Sequence, residues 1–395
     1  MRDVCIGDKD CGLASEPMIS GTPSLLVASL PTQQPTGIEP FVGRYADDFH
    51  FYGSGKVALR DGLAGLVDAT RQQNVLVPAY LPDGVVEPLR ELGLEPRYYA
   101  VEPTLAPDFV DLERRLDDDT LAVMSVNYFG FPQPGLAELE SIADDAGCYH
   151  IDDNAHAPLS VNHGTLLGTR GDIGITSLWK LLPIPNGAVL YCNDDAVSDH
   201  YEPSSLAGIR GSVDTADCRY ILKSVAQEFL DTAPPVRHSV DALLARRRDG
   251  SDEPAVGTPA DRYEAWKTPM SKLAAYLASD IDPSEIRQAR RANFRTWRRV
   301  LDEYDSLEPV FDSLPDGICP QAFPVQTDDA RAFIAELERV GVDGVHTWPR
   351  LAGTVLENPA YETAARLSRE TVTLPVHQHV DPAELESVGD ALQWE

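Results

Sequence analysis

The sequence predicts an α/β protein: a large, mostly parallel sheet with helices on both faces, followed by a smaller C-terminal α/β domain. Short apolar strands alternate with helices of about ten residues from residue 54 to residue 153, a pattern typical of βαβ units. A polar stretch at 241–265 interrupts the pattern, which then resumes. At 395 residues the chain is long enough for two domains.

Hydrophobic periodicity assigns the individual elements in chain order. The helices predicted in the first domain are 55–71, 82–94, 108–116 and 135–147. The strands predicted between them are 74–80, 95–101, 120–130 and 148–153. In the second domain, helices are predicted at 282–304, 328–341 and 381–394, with strands at 319–326 and 371–377.

Composition shifts divide the chain into four parts. Residues 1–38 lack periodicity and are rich in Gly, Ser, Thr and Pro, which predicts an N-terminal arm. Residues 39–245 form the large domain, 246–265 a linker or insertion, and 266–395 the small C-terminal domain.

The charge excludes two classes of partner. The formal net charge is −30, from 63 acidic and 33 basic residues, and a negative field repels nucleic acid and anionic membranes. Only six lysines occur, and an acidic, lysine-poor surface is what adaptation to high salt (a halophilic protein) would show. The sequence has neither an apolar run of transmembrane length nor a signal-peptide pattern, so we expect a soluble, cytoplasmic protein.

The cysteines indicate free thiols. The six cysteines lie at positions 5, 11, 148, 192, 218 and 319, and no two form a CxxC pair. We therefore expect neither a disulfide framework nor a metal site.

Ligands of parallel sheets bind beyond the carboxyl ends of the strands, so the residues that follow each strand are the candidate site residues. Gly55 and Lys56 open a helix, where free backbone amides can bind phosphate, although an ordinary turn gives the same pattern. Tyr80 closes a strand and either lies flat on a planar ring or belongs to the core. Asn127 follows the next strand and either binds a ligand or caps a loop.

Two carboxylates and a histidine follow the strand that ends at residue 153. Asp152 and Asp153 are costly to bury without a partner, and His156 lies three residues on. A buried carboxylate that faces a ring nitrogen keeps that nitrogen protonated, as the pyridinium of pyridoxal 5'-phosphate requires. The alternative interpretation is an acidic surface loop.

A lone lysine completes the set. Lys180 lies in the apolar segment LWKLLPIP, three residues after Ser177. Desolvation lowers the pKa of a lysine and frees its amine as a nucleophile, and the serine can contact the same phosphate. An exposed lysine is the alternative. Taken in order, the candidates provide a phosphate cradle, a stacking aromatic, a pyridinium carboxylate and a Schiff-base lysine, which predicts pyridoxal phosphate as the cofactor.

At these residues the sequence resembles the fold-type I pyridoxal-phosphate enzymes, and specifically the DegT-type sugar aminotransferase family. The motifs that carry the resemblance are SGKVAL (54–59), VPAY (77–80), NYFGFP (127–132), IDDNAHA (151–157), GDIGITSLWK (171–180) and LPVHQ (374–378). The lysine follows the serine at a spacing two residues shorter than is usual in the family. The family's GYNxR-like segment is not evident where this chain has GIRGSVDTADCRY, which indicates a divergent branch.

The resemblance implies a role for each candidate residue. Asp153 would be the carboxylate at the pyridine nitrogen, His156 would lie beside the ring hydroxyl, and Lys180 would be the Schiff-base lysine. Ser177 and the amides of Gly55 and Lys56 would bind the phosphate. Tyr80 would be the aromatic residue that stacks on the cofactor ring.

The resemblance also implies a homodimeric aminotransferase. Its acceptor would be a nucleotide-linked keto sugar and its donor an amino acid such as glutamate, for glycan or polysaccharide synthesis. Another reaction of the same cofactor (lyase, decarboxylase or acyl transferase) and a non-catalytic protein on the same fold are the alternatives. The family's dehydratase variant replaces the lysine with histidine and is disfavoured by Lys180. Four residues of the second domain either face substrate or have a core or surface role: His346, Trp348, Arg350 and His377.

Overall fold

A computed structural model describes residues 19–21, 23, 37–231 and 257–394 of the chain. The predicted arm at 1–38, the end of the large domain and the start of the linker therefore lie largely outside the described residues. The described part of the arm includes Ile19, which is buried and whose backbone bonds to Gly341 and Asp343 of the small domain.

Seven strands form the large sheet, and two more form a hairpin beside it. The strands are β1 (Phe49–Tyr52), β2 (Asn74–Pro78), β3 (Glu95–Tyr99), β4 (Thr120–Val126), β5 (Tyr149–Asn154), β6 (Val161–Asn162), β7 (Thr165–Leu166), β8 (Ile173–Ser177) and β9 (Ala188–Cys192). The sheet order is β1-β9-β8-β5-β4-β2-β3, and β6 pairs with β7. From β3 to β8 all neighbours are parallel, whereas β9 is antiparallel to both β8 and β1. The predicted mostly parallel sheet is confirmed.

The central strands are apolar along their whole length because helices cover both faces of the sheet. Every residue of β2, β4, β8 and β9 is buried. The Gly55–Ala69 helix packs on β8, β9 and β1, and the Leu136–Ala146 helix packs on β4 and β5. Since parallel strands end at one edge of the sheet, this arrangement brings the predicted site residues toward each other.

Most of the predicted helices form near their predicted bounds. In the large domain and the segment after it, the described helices are Ile38–Val42, Gly55–Ala69, Glu87–Glu91, Phe109–Arg115, Leu136–Ala146, Asp195–His200, Thr215–Asp231 and Pro259–Ala265. In the small domain they are Lys272–Ser279, Pro283–Leu301, Ala330–Arg339, Gly353–Leu356, Glu362–Glu370 and Pro382–Ala391. Along the described ranges, no helix has the length and apolarity that crossing a membrane requires.

The predicted helix 82–94 is wrong over its first half. Residues before Glu87 form turns, and the helix covers only Glu87–Glu91. The backbone amide of Asp83 donates instead to the carbonyl of Arg350, at 3.0 Å. This contact attaches the turn to the small domain.

A helix also forms inside the predicted linker 246–265. Pro259–Ala265 begins with a capping box in which Thr258 and Asp261 exchange side-chain to backbone hydrogen bonds. Arg262 binds the carboxylate of Asp83 at 2.6 Å, which attaches this helix to the large domain. The polar composition of the segment gave no apolar stripe from which to predict it.

The small domain is built on an antiparallel sheet. Its strands are β10 (Glu308–Pro309), β11 (Ala322–Gln326), β12 (His346–Thr347) and β13 (Thr371–Pro375), in the order β10-β11-β13-β12. The long Pro283–Leu301 helix lies against β11 and against the Pro382–Ala391 helix. These elements confirm an α/β fold for the region after the polar stretch.

One buried arginine joins the small domain to the large one. Arg290 is 1% exposed, and its Nη2 donates to the carbonyl of Leu181 at 3.1 Å. The amide of Gln378 donates to the same carbonyl at 3.1 Å and accepts from Arg290 Nε at 3.0 Å. The small domain therefore fixes the backbone directly after Lys180.

Candidate functional site

The candidate site lies where β5 and β8 end. Asp153 is on β5, and Ser177 ends β8, from which a 3₁₀ turn over Leu178–Lys180 continues. The two strands are parallel, and Asp153 lies opposite Ile175. Asp153 and Lys180 are close enough for each to shift the pKa of the other.

The two neighbouring aspartates have different surroundings because successive side chains on a strand point to opposite faces. Asp152 is completely buried, and its oxygens accept from Asn127 Nδ2 at 2.6 Å and from the Gly168 amide at 2.9 Å. Asp153 accepts only the Ala155 amide, at 2.9 Å, among the described residues. Burial raises the pKa of Asp153 to about 6. Asp153 is therefore the carboxylate that remains available to a ligand.

Lys180 presents an amine without a fixed partner. Within the described ranges its Nζ makes no hydrogen bond and no ion pair. The pKa of Lys180 is lowered to about 8, mainly by burial; Asp153 opposes this change, and the charge of Lys56 contributes to it. A usable fraction of the amine is therefore unprotonated near neutral pH, as nucleophilic or general-base chemistry requires.

His156 is held neutral beside these groups. The side chain is 5% exposed, and burial together with the charge of Lys180 holds its pKa well below the usual range. Its Nδ1 accepts the amide of Phe129 at 3.2 Å. Phe129 has a φ of 55°, a left-handed conformation that is uncommon outside glycine. A neutral imidazole with an occupied Nδ1 can still bind a ligand through Nε2.

The helix that begins at Gly55 lies where the phosphate cradle is predicted. A side chain at Gly55 would place its Cβ 3.0 Å from Ser177 Oγ, so glycine keeps this space open. Ser177 Oγ has no hydrogen-bond partner among the residues that the structure describes. Ser54 caps the helix by accepting the Lys56 amide at 3.3 Å. A helix N-terminus facing a free hydroxyl is a favourable site for a phosphate dianion.

Tyr80 and Asn127 are engaged within the protein. Tyr80 is completely buried, and its hydroxyl donates to the carbonyl of Trp348 at 2.6 Å. Asn127 uses its amide nitrogen on Asp152 and its oxygen on the backbone of Gln133, at 3.2 Å. For both residues, direct contact with a cofactor stays a prediction.

The small domain contributes Trp348 to this region. Its ring lies 4.9 Å from the His156 ring, 5.0 Å from the Phe129 ring and 5.2 Å from the Tyr80 ring, measured between centroids. Sequence analysis left Trp348 undecided and did not select Phe129. The aromatic run YFGF after β4 was the available signal, but its partner comes from another domain.

The other three residues left undecided in the small domain contact protein. His346 is exposed and its Nδ1 lies 2.9 Å from the Gly344 carbonyl. Arg350 pairs with the carboxylate of Asp83 at 3.3 Å. His377 is buried, lies 2.5 Å from the Ser20 carbonyl, and has a pKa lowered to about 3 by burial.

The donor set fits pyridoxal phosphate. A planar pyridinium needs a buried carboxylate, a phosphate needs amides and a hydroxyl, and the aldehyde carbon needs an amine. These groups are available in Asp153, in the Gly55 turn with Ser177, and in Lys180. Among the described residues, Asp153 has one carboxylate oxygen and Lys180 has its amine without a hydrogen-bond partner, and glycine at position 55 leaves space beside the Ser177 hydroxyl.

Comparison with known proteins agrees with this geometry. Residues 51–223 match the model of the DegT/DnrJ/EryC1/StrS aminotransferase family. The match confirms the resemblance that the motifs predicted, and it supports pyridoxal phosphate as the cofactor.

Two curated relatives are similar to part of the chain. The chain is 28% identical over 149 residues to GDP-perosamine synthase of Vibrio cholerae, covering 37% of this chain and 40% of the relative. It is 31% identical over 150 residues to dTDP-4-dehydro-2,3,6-trideoxy-D-glucose 4-aminotransferase of Saccharopolyspora spinosa, covering 35% and 38%. The alignments thus span about two fifths of these relatives.

The fold is similar to that of a solved structure, a sugar aminotransferase from Micromonospora echinospora. Its TM-score is 0.63 at 17% identity, over 95% of this chain and 98% of that chain. At this identity the likeness shows the fold, and it confirms the predicted fold class over nearly the whole chain.

The lowered pKa of Lys180 predicts the pH dependence of cofactor uptake. With a pKa of about 8, about a tenth of the amine is unprotonated at pH 7, against roughly 3 parts in 10,000 for an ordinary lysine of pKa 10.5. The rate at which cofactor-free protein takes up pyridoxal phosphate, followed by stopped-flow absorbance, should rise with pH and level off above about 8. Lys180→Ala is the control and should lack this phase. A rate that keeps rising to pH 10 would contradict the lowered pKa.

Proposed function

We propose that the protein is a pyridoxal-phosphate-dependent aminotransferase that transfers an amino group from an amino acid, such as glutamate, to a nucleotide-linked keto sugar. The observation that carries the proposal is the pair formed by the buried Asp153 and the half-buried Lys180, which are close enough to shift each other's pKa beside the predicted phosphate cradle. The names of the curated relatives, a perosamine synthase and a 4-aminotransferase of a dTDP-linked sugar, support the substrate class.

Each residue of the site has a definite task in this reaction. When bound, the cofactor supplies an electron-accepting ring and the carbon that carries the amino group. Gly55 and Ser177 hold the phosphate, through the backbone amide and the hydroxyl. Asp153 holds a proton on the ring nitrogen, because a carboxylate of pKa about 6 is ionised at neutral pH and a cation beside it favours ionisation further. His156 positions the ring from its edge.

Lys180 moves the proton. Its Nζ accepts the proton that leaves the α-carbon of the donor and returns one to the carbon that carries the amino group, as a general acid–base. A pKa of about 8 suits this task, since catalysis is most efficient when the pKa lies near the working pH. The rings of Trp348, Phe129 and Tyr80, which pack against each other beside His156, would limit the access of water to the site.

A homodimer in the cytoplasm is part of the proposal. Ile209, Val213 and Leu222 are 48%, 52% and 70% exposed, and they lie in and beside the segment where the chain departs from the family's usual motif. Exposed apolar side chains that are close in sequence are typical of an interface. A second copy of the chain would cover them.

Replacing Asp153 should raise the stability of the protein and lower its activity. Because burial raises its pKa from 3.8 to about 6, the native state binds more protons than the unfolded state between those values. The free energy of unfolding therefore falls as pH rises from 3.8 to about 6, and the full destabilisation by ionised Asp153 is present above pH 6. In cofactor-free protein at pH 7.5, Asp153→Asn should raise the free energy of unfolding by up to about 3 kcal/mol.

The same variant should lower kcat roughly 100-fold or more, because an amide does not hold the ring proton. Asp152→Asn is the matched control: it breaks hydrogen bonds of a satisfied carboxylate and should destabilise the protein. Urea unfolding and steady-state kinetics measure the two effects. Destabilisation by Asp153→Asn with retained kcat would contradict the assigned role.

The proposed reaction is tested by its two half-reactions. Glutamate added to the purified holoenzyme should convert the bound cofactor to its amino form, seen as a shift in absorbance. A GDP- or dTDP-linked 4-keto sugar should then restore the original spectrum and gain an amino group, detected by mass spectrometry. Release of carbon dioxide or ammonia without an acceptor would indicate a different reaction of the cofactor. A protein with no cofactor absorbance would indicate a non-catalytic role.

A further inference from the structure

Three side chains of types that can bind metals, Asp48, His50 and Cys192, lie close together at the end of β1 and β9 that is away from Lys180. The two strands are antiparallel with Phe49 opposite Tyr191, and the Cys192 amide donates to the Asp48 carbonyl at 3.1 Å. Asp48 and Cys192 are therefore directly opposed and share one face, and His50 follows Asp48 by two residues on that same face. One ligand atom from each residue lies within 4.8 Å of the other two.

The histidine and the aspartate approach each other without forming a hydrogen bond. His50 Nε2 lies 2.9 Å from Asp48 Oδ1, but this nitrogen is buried and has no partner with hydrogen-bond geometry among the described residues. An unsatisfied buried nitrogen is costly. The separation is close to the ~3.3 Å between neighbouring ligand atoms of a tetrahedral zinc site with bonds of about 2.0–2.1 Å. Both atoms are thus placed to bind a common ion.

Neighbouring side chains fix the orientation of both ligands. Ser198 donates its hydroxyl to Asp48 Oδ2 at 2.7 Å, which leaves Oδ1 free to face His50. The ring of Tyr201 lies against the His50 ring, with centroids 4.3 Å apart, and its hydroxyl lies 2.6 Å from the hydroxyl of Tyr52. Contacts of this kind, made around the ligands, are typical of metal sites.

We propose that Asp48, His50 and Cys192 form a zinc site, with water as the fourth ligand. Thiolate, imidazole and carboxylate together suit Zn²⁺, whereas Mg²⁺ and Ca²⁺ prefer oxygen ligands alone. Binding releases the thiol proton of Cys192 to solvent, and no group is oxidised or reduced. Sequence analysis expected no metal site, because no two cysteines form a CxxC pair. The ligands proposed here come from segments far apart in the chain, which no local pattern brings together.

The ion would brace the strand that leads into the phosphate cradle. β1 runs from His50 toward Gly53 and Gly55, and Cys192 ends the strand that pairs with it. A metal at this end ties β1 to β9 at a distance from the reacting groups. Its role is structural, and it does not depend on the proposed aminotransferase reaction.

The test is zinc binding by the purified, full-length holoenzyme. Competition with a chromophoric chelator should give one tight Zn²⁺ per chain. Cys192→Ser and His50→Ala should each weaken binding by more than about 100-fold, and Ser198→Ala by about 10-fold. Cys218→Ser removes an exposed cysteine and is the matched control, which should bind as the wild type does. Zn²⁺ should raise the melting temperature of the wild type and of Cys218→Ser, but not that of Cys192→Ser.

Cobalt gives a readout that requires no variant. Co²⁺ bound to the wild-type protein should show a thiolate-to-metal charge-transfer band, in a difference spectrum that removes the cofactor absorbance. The proposal is overturned if the wild type binds no stoichiometric Zn²⁺, if Co²⁺ binds without this band, or if folded Cys192→Ser binds Zn²⁺ as tightly as the wild type.

Discussion

The site depends on a half-buried lysine next to a buried carboxylate. Among the described residues the lysine amine has no hydrogen-bond partner, and the carboxylate has a single backbone partner. Burial is the largest cause of both pKa shifts: the pKa of Lys180 falls to about 8 and that of Asp153 rises to about 6, although the attraction between the two groups partly offsets the effect of burial. Both shifts cost folding free energy. A protein retains such costly groups where a ligand or a reaction uses them, and perturbed pKa values in a cleft are typical of functional sites.

The rest of the structure holds these groups in place. Arg290 and Gln378 bind the Leu181 carbonyl and thereby fix the turn that carries Lys180. The parallel pairing of β5 and β8 brings Asp153 to the same edge of the sheet as Ser177. The small domain thus contributes to the site through backbone positioning as well as through Trp348.

Sequence analysis predicted correctly those helices and strands whose apolar pattern is local. The structure differs from the prediction where contacts between distant parts of the chain determine the backbone conformation. The helix at Gly55–Ala69 and the strand β5 formed close to their predicted bounds because their patterns match the helical and strand periods. Residues 82–86 form turns, in which the Asp83 amide bonds to the small domain. Alternation along β5 distinguishes Asp153 from Asp152, and the resemblance had already selected Asp153. The position of Trp348 beside His156 depends on domain packing, which no local pattern contains.

The central claim is that Lys180 holds the cofactor, and peptide mapping tests it most directly. Borohydride treatment of the purified protein fixes pyridoxal phosphate to the lysine that binds it, and mass spectrometry of the digest identifies that lysine. The account predicts the label on Lys180 alone. Lys56 is the informative alternative because it lies near enough to lower the pKa of Lys180. Label on Lys56, or a protein that carries no label, would contradict the account.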